Sequence, residues 1–239
     1  MIPKCFKKQS QPTKFCPGCG YGIVLKSLGK VIDRMKIAGK SAIGLDIGCS
    51  LLAWDLFDVD TLQTHHGRTT PTMAGFKFAK PQSVVFALMG DGGGYAIGLQ
   101  ALLHSAHRND PITVILINNT LYGMTGGQMA PTTLEKEKTA TTPLGRDTVK
   151  TGLPFLGPEL IKTLTNDHAY IARYSIRNPL KLEEAMEKAI KNQQTGKGFS
   201  FLEILSVCPT NWKTDAAQTF AFLEQIENYY KIGELKSHD

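Results

Sequence analysis

Apolar positions along the chain recur with two different periods, and these predict an alternation of helices and strands. Over residues 21–35 they fall every three or four positions, which indicates an amphipathic helix. Residues 83–89 and 112–117 are near-continuous apolar runs rich in β-branched side chains, typical of strands that are buried on both faces. The helical pattern over residues 95–107 lies between them, so these segments have the length of a crossover between parallel strands.

The rest of the pattern extends the same alternation. Strands are predicted at residues 41–47, 169–174 and 199–207, and helices at residues 179–192 and 218–230. No internal repeat or low-complexity linker interrupts them. We therefore predict one α/β domain with a single doubly wound, mainly parallel sheet and helices on both faces.

The ends of this domain and one internal segment differ from that pattern. Residues 1–14 are basic and polar and are expected to form a mobile leader, so the folded domain is predicted over residues 15–239. Residues 120–157 are polar and interrupted by Gly and Pro. A loop of that length is either functional or contains an element that the pattern does not show.

A glycine run with one acid follows the strand predicted at residues 83–89. It reads Gly90-Asp91-Gly92, continues with two more glycines, and opens the next helix, while Asn119 ends the following strand. Glycines let backbone N–H groups approach phosphate oxygens, and a helix N-terminus adds partial positive charge. Asp91 and the Asn119 carboxamide would supply the hard oxygen ligands that Mg²⁺ prefers. The pattern favours a magnesium–diphosphate site, and the alternative is an ordinary glycine-rich turn.

Four of the five cysteines are spaced for a metal centre. Cys16 and Cys19 form a C-x-x-C pair ahead of the first helix, and Cys49 and Cys208 each follow a predicted strand. Four thiolates is the usual ligand number of a [4Fe–4S] cluster. A Cys₄ zinc site, a redox dithiol at Cys16 and Cys19, and buried unliganded thiols stay open as alternatives. Cys5 lies in the leader and is expected to be a bystander.

Taken together, these motifs resemble the β subunit of the 2-oxoacid:ferredoxin oxidoreductases. The segments that carry the resemblance, in the family's order, are residues 15–20 (FCPGCG), 47–50 (IGCS), 66–68 (HGR), 90–92 (GDG), 118–128 (NNTLYGMTGGQ) and 207–210 (VCPT). The continuation QMAPTT at residues 128–133 is most similar to the 2-oxoisovalerate and 2-oxoglutarate members. The family often has a second acid after GDG, where Gly93 stands here; metal binding is still expected because Asp91 remains.

The resemblance implies roles for individual residues. Mg²⁺ would be held by Asp91, Asn119 and the backbone carbonyl of Leu121, and the [4Fe–4S] cluster by Cys16, Cys19, Cys49 and Cys208. Residues implied to contact thiamine diphosphate (TPP) are Ile47, Gly48, Cys49, Ser50, Thr64, His65, His66, Gly67, Gly92, Gly93, Gly123 and Met124. His65 and His66 would donate to diphosphate or to the substrate carboxylate, and Arg68 would pair with either anion. A capping His and a structural Arg are the alternatives.

The reaction implied is the oxidative decarboxylation of a 2-oxoacid to acyl-coenzyme A and CO₂, with electrons passing through the cluster to ferredoxin. TPP activation ordinarily needs a glutamate from a separate pyrimidine-binding domain, and 239 residues leave no room for one. The resemblance thus implies an α subunit that brings this glutamate, with γ and δ subunits as possible additions. The acids Glu135, Glu137 and Asp147 lie in the polar segment and are expected to be solvated.

Composition limits the classes of protein that fit. With 42% hydrophobic and 20% charged residues the chain is typical of a globular domain, and no apolar run approaches the ~20 residues that span a bilayer. The first residues lack the apolar core of a secretory signal, so a cytoplasmic location with reduced thiols is expected. A net charge of +6 suits TPP, coenzyme A or an acidic ferredoxin, although a solvated basic surface would explain it too. No basic stripe interleaved with aromatics points to nucleic acid.

Two other functions remain compatible with the sequence. One is a subunit of a non-oxidative TPP-dependent decarboxylase or carboligase, with structural or zinc-bound cysteines. The other is a zinc-containing scaffold or binding subunit without TPP. Iron, sulfide and TPP content would separate the three.

Overall fold

A mainly parallel sheet forms the centre of the computed structural model, which describes residues 2–10 and 12–237. In the described part of the chain this sheet has seven strands in the order β2-β1-β3-β4-β8-β7-β9, with β9 antiparallel to β7. A short antiparallel hairpin, β5–β6, lies outside it. The strands are β1 (Ser41–Leu45), β2 (Asp60–Gln63), β3 (Val84–Gly90), β4 (Thr113–Asn118), β5 (Leu121–Tyr122), β6 (Gln128–Met129), β7 (Tyr170–Ser175), β8 (Ser200–Leu205) and β9 (Gly233–Lys236).

Helices cover both faces of the sheet, so the predicted doubly wound α/β fold is confirmed. They are α1 (Tyr21–Met35), α2 (Thr69–Ala79), α3 (Leu99–His107), α4 (Thr148–Thr151), α5 (Gly157–Leu164), α6 (Pro179–Gln194), α7 (Pro209–Trp212) and α8 (Ala216–Tyr229). One core contains apolar residues of α1, α6 and α8, and the other contains apolar residues of α2, α3 and α5. Successive residues of β3 alternate between them: Phe86 lies in the first and Ala87 in the second.

The predictions are confirmed for long elements with a strong apolar pattern, whereas elements with a weak pattern were not predicted. Helix α1 has the predicted bounds, and the predicted strands match to within two residues at each end. The elements that the sequence did not predict are β2, α2, α5, α7, β9, the hairpin β5–β6 and the single turn α4. Strand β2 is half exposed and polar, and β9 is a half-exposed edge strand, so neither has a buried apolar run. The helix predicted over residues 95–107 instead begins with a π-helical turn at Gly93–Ile97.

The N-terminal residues pack on the domain, contrary to the expectation of a mobile leader. Cys5 is buried, and its thiol lies 3.4 Å from the carbonyl oxygen of Gly29 in α1. Phe6 contacts Phe57 edge to face, with ring centroids 4.9 Å apart. A Cβ at Gly29 would lie 2.7 Å from Phe6, so the leader fits because α1 has a glycine at this point. Met1 and Gln11 of the leader, and the last two residues of the predicted domain, lie outside the described residues.

A buried ion pair joins the sheet to its covering elements. Arg173 of β7 and Glu203 of β8 are both fully buried and bonded to each other through Arg173 Nε. The other two guanidinium nitrogens each donate to Glu159 of α5 at 2.7 Å. Glu203 also accepts from the Tyr95 hydroxyl at 2.8 Å and from the Asn118 side chain at 3.1 Å. Burial by itself lowers the pKa of Arg173, but the two carboxylates raise it above its ordinary value, so the guanidinium stays charged.

The described residues contain no helix that combines the length and apolar character needed to cross a bilayer.

Removal of the guanidinium tests the buried pair. Arg173→Met should lower the free energy of unfolding by about 3–5 kcal/mol, because it leaves Glu203 charged and buried without its cation. Denaturant unfolding of the purified chain measures this. Lys150→Met removes the cation of the exposed Lys150–Asp147 pair and is the matched control, expected to unfold like the wild type. Equal stabilities of the two variants would contradict the assignment.

Candidate cofactor and metal site

The carboxyl ends of three neighbouring strands, β1, β3 and β4, open into one cavity. Its volume is about 390 Å³. This is the edge of a doubly wound sheet where ligands ordinarily bind. Eleven of the predicted site residues line the cavity: Ile47, Gly48, Cys49, His66, Asp91, Gly92, Gly93, Asn119, Leu121, Gly123 and Met124. The exposed apolar side chains Ile97 and Met124 stand at its wall.

Asp91 and Asn119 bring two buried oxygen donors to this cavity. Burial raises the pKa of Asp91 to about 7, although hydrogen bonds from the Thr132 hydroxyl and the Gly92 backbone N–H lower it. The side-chain oxygen of Asn119 is buried and has no hydrogen-bond partner among the described residues. An unpaired buried acceptor costs about 1–3 kcal/mol, so this oxygen is suited to bind a donor or a cation. A carboxylate and an orphaned amide oxygen fit Mg²⁺ well.

The glycines of the GDG run are required by close packing. A Cβ at Gly93 would lie 2.0 Å from Asp46 Oδ2, and one at Gly92 would lie 2.2 Å from the Tyr122 ring. Side chains are therefore excluded where the chain turns from β3 into the π-helical turn. Gly92 and Gly93 line the cavity with backbone alone, and glycine-rich turns that open a helix are typical of phosphate sites. Single π-helical turns also occur frequently at functional sites.

Asp46 is a cavity residue that the sequence did not identify. It follows β1 directly and accepts hydrogen bonds from the Gly67 backbone N–H at 2.7 Å and the Thr69 hydroxyl at 3.1 Å. Burial raises its pKa to about 6, while these two donors lower it. The bonds fix the start of α2 against the end of β1. An acid just before the Ile47-Gly48-Cys49 segment was the available sequence signal.

One of the three predicted catalytic residues lines the cavity, and the other two do not. His66 lines the cavity, and its Nδ1 lies 3.2 Å from the carbonyl oxygen of Ile47. Because a carbonyl oxygen only accepts, Nδ1 carries the proton of this bond. His65 and Arg68 are exposed and do not line the cavity.

Three other predicted contact residues lie behind the cavity wall. Ser50 and Thr64 are buried and bond to Tyr21 and Thr69, respectively. Gly67 has a left-handed φ of 65°, and its Cα lies where a Cβ on Gly98 would approach to 2.9 Å. These residues shape the cavity by supporting its lining.

The four cysteines of the predicted metal centre come together beside Gly123. A Cβ at Gly123 would lie 3.1 Å from the sulfur of Cys49 and 3.9 Å from that of Cys208. The loop of Cys16 and Cys19 reaches the same point, because Gly20 donates its backbone N–H to Val207, the residue before Cys208. A Cβ at Gly18 of that loop would touch Pro209, directly after Cys208.

The electrostatics of these thiols depend on what binds them. Burial, together with the neighbouring cysteines, raises the pKa of Cys49 to about 12 and that of Cys19 to about 11. Thiolates would thus form here only with a cation between them, since a bound metal inverts the local balance. Within residues 2–10 and 12–237, no three or more His, Cys, Asp or Glu side chains already stand in a metal-holding arrangement. The thiols converge without being in ligand geometry.

The structure also shows where the fifth cysteine and the acids of the polar segment lie. Cys5 lies against Gly29 and is separate from the other four cysteines, as expected. Glu135 and Asp147 are exposed, but the expectation that Glu137 is solvated is wrong. Glu137 is only 8% exposed, and it accepts hydrogen bonds from the Thr120 hydroxyl and the Leu134 backbone N–H, each at 2.7 Å. Burial raises the pKa of Glu137 to about 8.

Comparison with known proteins agrees with this geometry. Residues 46–204 match the family described as thiamine pyrophosphate enzyme, C-terminal TPP binding domain. The 2-oxoglutarate synthase subunit KorB of Archaeoglobus fulgidus is 37% identical over 90% of this chain and 76% of its own length. The ketoisovalerate oxidoreductase subunit VorA of Methanothermobacter thermautotrophicus is 38% identical over 92% of this chain and 47% of its own length. The chain thus spans about half the length of this curated relative.

A solved structure extends the likeness to the fold. It is the 2-oxoglutarate:ferredoxin oxidoreductase from Magnetococcus marinus with 2-oxoglutarate, coenzyme A and succinyl-CoA bound. The two chains are 26% identical with a TM-score of 0.81, over all of this chain and 86% of the other. The cavity, the converging thiols and these likenesses lead to one conclusion: the chain belongs to the thiamine pyrophosphate enzymes, in the family of 2-oxoacid oxidoreductase subunits that carry the TPP-binding domain.

Proposed function

We propose that this chain is the β subunit of a 2-oxoacid:ferredoxin oxidoreductase. The reaction is the coenzyme A-dependent oxidative decarboxylation of a 2-oxoacid to acyl-coenzyme A and CO₂, with ferredoxin as the electron acceptor and the cytoplasm as its location. The observation that carries the proposal is the position of Cys49. It lines the cavity that contains Asp91 and Asn119, and its sulfur lies beside Gly123, as does that of Cys208. Thiols beside the cofactor cavity favour an oxidative reaction, because a cluster held there would take electrons directly from the cofactor.

Asp91, Asn119 and the Leu121 carbonyl would hold Mg²⁺ and, through it, the diphosphate of TPP. The orphaned oxygen of Asn119 supports this assignment. Gly92 and Gly93 would let the backbone approach the phosphates. TPP, when bound, supplies the electron sink for decarboxylation, and the protein supplies position and polarity.

Residues around the opening would handle the substrate. Gly123 and Met124 would lie along the thiazolium ring, with Ile97 excluding water from it. His66, which holds a proton at Nδ1 toward Ile47, would present its other nitrogen to the cavity. His65 and Arg68 lie at the exposed edge and would attract the carboxylate of an incoming 2-oxoacid or the phosphates of coenzyme A.

Cys16, Cys19, Cys49 and Cys208 would hold a [4Fe–4S] cluster, which supplies one-electron transfer to ferredoxin. Their convergence from three separate loops supports this set. The C-x-x-C residue Cys16 is exposed, so the cluster would be near the surface where ferredoxin can approach.

An α subunit with the pyrimidine-binding domain would complete the site. Three apolar side chains of the segment before α5 are strongly exposed: Leu144 at 95%, Val149 at 94% and Leu153 at 77%. Leu153 shares a groove with Tyr122, which also lines the cofactor cavity. An apolar surface that continues into the cavity suits the centre of an obligate interface. The activating glutamate would arrive across this surface.

The magnesium assignment is tested by Asp91→Ala. Loss of a charged ligand should weaken Mg²⁺-dependent TPP binding more than about 100-fold, beyond the range for loss of a group that only orients a ligand. Isothermal titration calorimetry measures the affinity. Asp147→Ala removes an exposed acid of the same chain. It is the control and should bind TPP like the wild type. Equal affinities of Asp91→Ala and wild type would rule out the assignment.

The cluster assignment is tested by metal analysis. Chain purified without oxygen should be brown and contain about four irons and four sulfides. Cys49→Ser should lose most of this iron, whereas Cys5→Ser should retain it, because Cys5 lies apart against Gly29. Stoichiometric zinc without acid-labile sulfide would contradict the cluster and favour a zinc-bound protein.

The proposed contact with the α subunit is tested by introducing a charge into the apolar surface. Val149→Glu should abolish co-purification with the co-expressed α subunit, because a charge would be buried at an apolar interface. Phe220→Glu introduces the same charge at an exposed aromatic residue of α8, outside the proposed apolar surface, and should co-purify normally. Full 2-oxoacid-dependent viologen reduction by the purified chain alone would show that no partner is needed.

A further inference from the structure

We propose that Glu137 is a positioning residue for the magnesium–diphosphate site, which it controls through the hydroxyl of Thr120. This inference rests on the proposed function of the same cavity. Glu137 would touch neither metal nor cofactor. It would set the backbone turn that presents two of the three metal ligands, Asn119 and Leu121.

The turn at Thr120 is unusual for its residue type. Thr120 lies between Asn119 and Leu121, is fully buried, and has a left-handed φ of 63°. A β-branched residue avoids this conformation unless surrounding contacts impose it. Any relaxation of this φ would rotate the Asn119 side chain and the Leu121 carbonyl away from Asp91, which is fixed on the neighbouring strand β3.

Three contacts impose the conformation. The Thr120 backbone N–H donates to the side chain of Asn118 at 3.1 Å, and the Thr120 carbonyl accepts from the Thr133 hydroxyl. The Thr120 hydroxyl lies 2.7 Å from Glu137 Oε1 and equally near the Asn119 carbonyl. A hydroxyl both donates and accepts, so the Thr120 hydroxyl bonds to Glu137 in either protonation state of the carboxyl: it donates to the carboxylate, or it accepts from the acid and donates to the Asn119 carbonyl. The contact to Glu137 thus fixes the side chain of the strained residue from outside the turn.

Glu137 is itself held firmly. Its second oxygen accepts from the Leu134 backbone N–H at 2.7 Å, and its carbonyl accepts from the Arg146 backbone N–H at 2.9 Å. The buried Arg146 guanidinium donates to the carbonyls of Pro131 at 3.0 Å and Gly152 at 2.9 Å, which joins both ends of this loop. The carboxylate therefore reaches Thr120 from a rigid support.

The same short segment also reaches the other metal ligand. The Thr132 hydroxyl donates to Asp91, and the Thr132 carbonyl accepts from the Tyr230 hydroxyl at 2.7 Å. Residues 132–137 thus contact the ligand-bearing turns of both β3 and β4. This segment is placed to fix the separation between Asp91 and Asn119, and Glu137 is its contact on the Asn119 side.

A single-atom exchange at Thr120 tests the inference. Thr120→Val keeps the branched shape and removes the donor to Glu137, whereas Thr120→Ser keeps the donor. Calorimetry on the full chain would measure the affinity for TPP across a series of Mg²⁺ concentrations. We expect Thr120→Val and Glu137→Ala each to weaken apparent Mg²⁺ binding about 10–100-fold, the range for a group that orients a ligand, and Thr120→Ser to stay within about threefold of wild type. The double variant Thr120→Val/Glu137→Ala should be no weaker than either single variant.

Other outcomes overturn the inference in distinguishable ways. Wild-type Mg²⁺ affinity in Thr120→Val, or equal losses in Thr120→Val and Thr120→Ser, would show that the contact does not position the ligands. A lower unfolding temperature of the metal-free variants with unchanged Mg²⁺ affinity would mark a merely structural role. Failure of the wild-type chain to bind Mg²⁺ and TPP would instead overturn the proposed function, and this inference with it. If Glu137→Ala does not fold, the two Thr120 variants still decide.

Discussion

The fully buried carboxylate of Glu203 constrains the structure around it. Such a charge is tolerated inside a protein only when every oxygen is paired. Here the pairs are Arg173 from the neighbouring strand, Tyr95 from the π-helical turn and Asn118 from the end of β4. Each of the last two belongs to a segment that forms the cofactor cavity. Because burying Glu203 without its partners would be costly, the glycine run after β3 is held against the end of β4, where the candidate metal ligands lie.

The same edge of the sheet brings the candidate metal and cofactor groups close together. The turns after β1, β3 and β4 supply Cys49, Asp91 and Asn119 within one cavity. Glycines at the contact points remove side chains that would separate them: Gly93 admits Asp46, and Gly123 admits the sulfurs of Cys49 and Cys208. The short distances between functional groups therefore follow from the absence of Cβ atoms as much as from the groups themselves.

The long segment after β4 is ordered by polar contacts more than by apolar packing. Arg146 and Glu137, both buried, bond mainly to the backbone and hydroxyls of this segment, and its apolar side chains Leu144, Val149 and Leu153 face outward. The segment therefore buries Arg146 and Glu137 while it exposes three large apolar side chains. Exposed apolar side chains of this kind are expected where another subunit covers the protein.

The sequence by itself determined the fold class and most of the site, because both depend on local pattern. Buried parallel strands appear as continuous apolar runs, and the residues that follow such strands meet at one edge whatever connects them. Asp91, Asn119, Cys49 and Cys208 were therefore predictable from position alone. Tertiary structure decided the rest. Glu137, Asp46 and the packed leader depend on contacts between distant segments: the burial of Glu137 is set by Thr120, that of Asp46 by Gly67 and Thr69, and that of Cys5 by a missing side chain at Gly29. From sequence alone a polar residue is expected to be solvated. Whether it is buried and hydrogen-bonded depends on its neighbours in the tertiary structure.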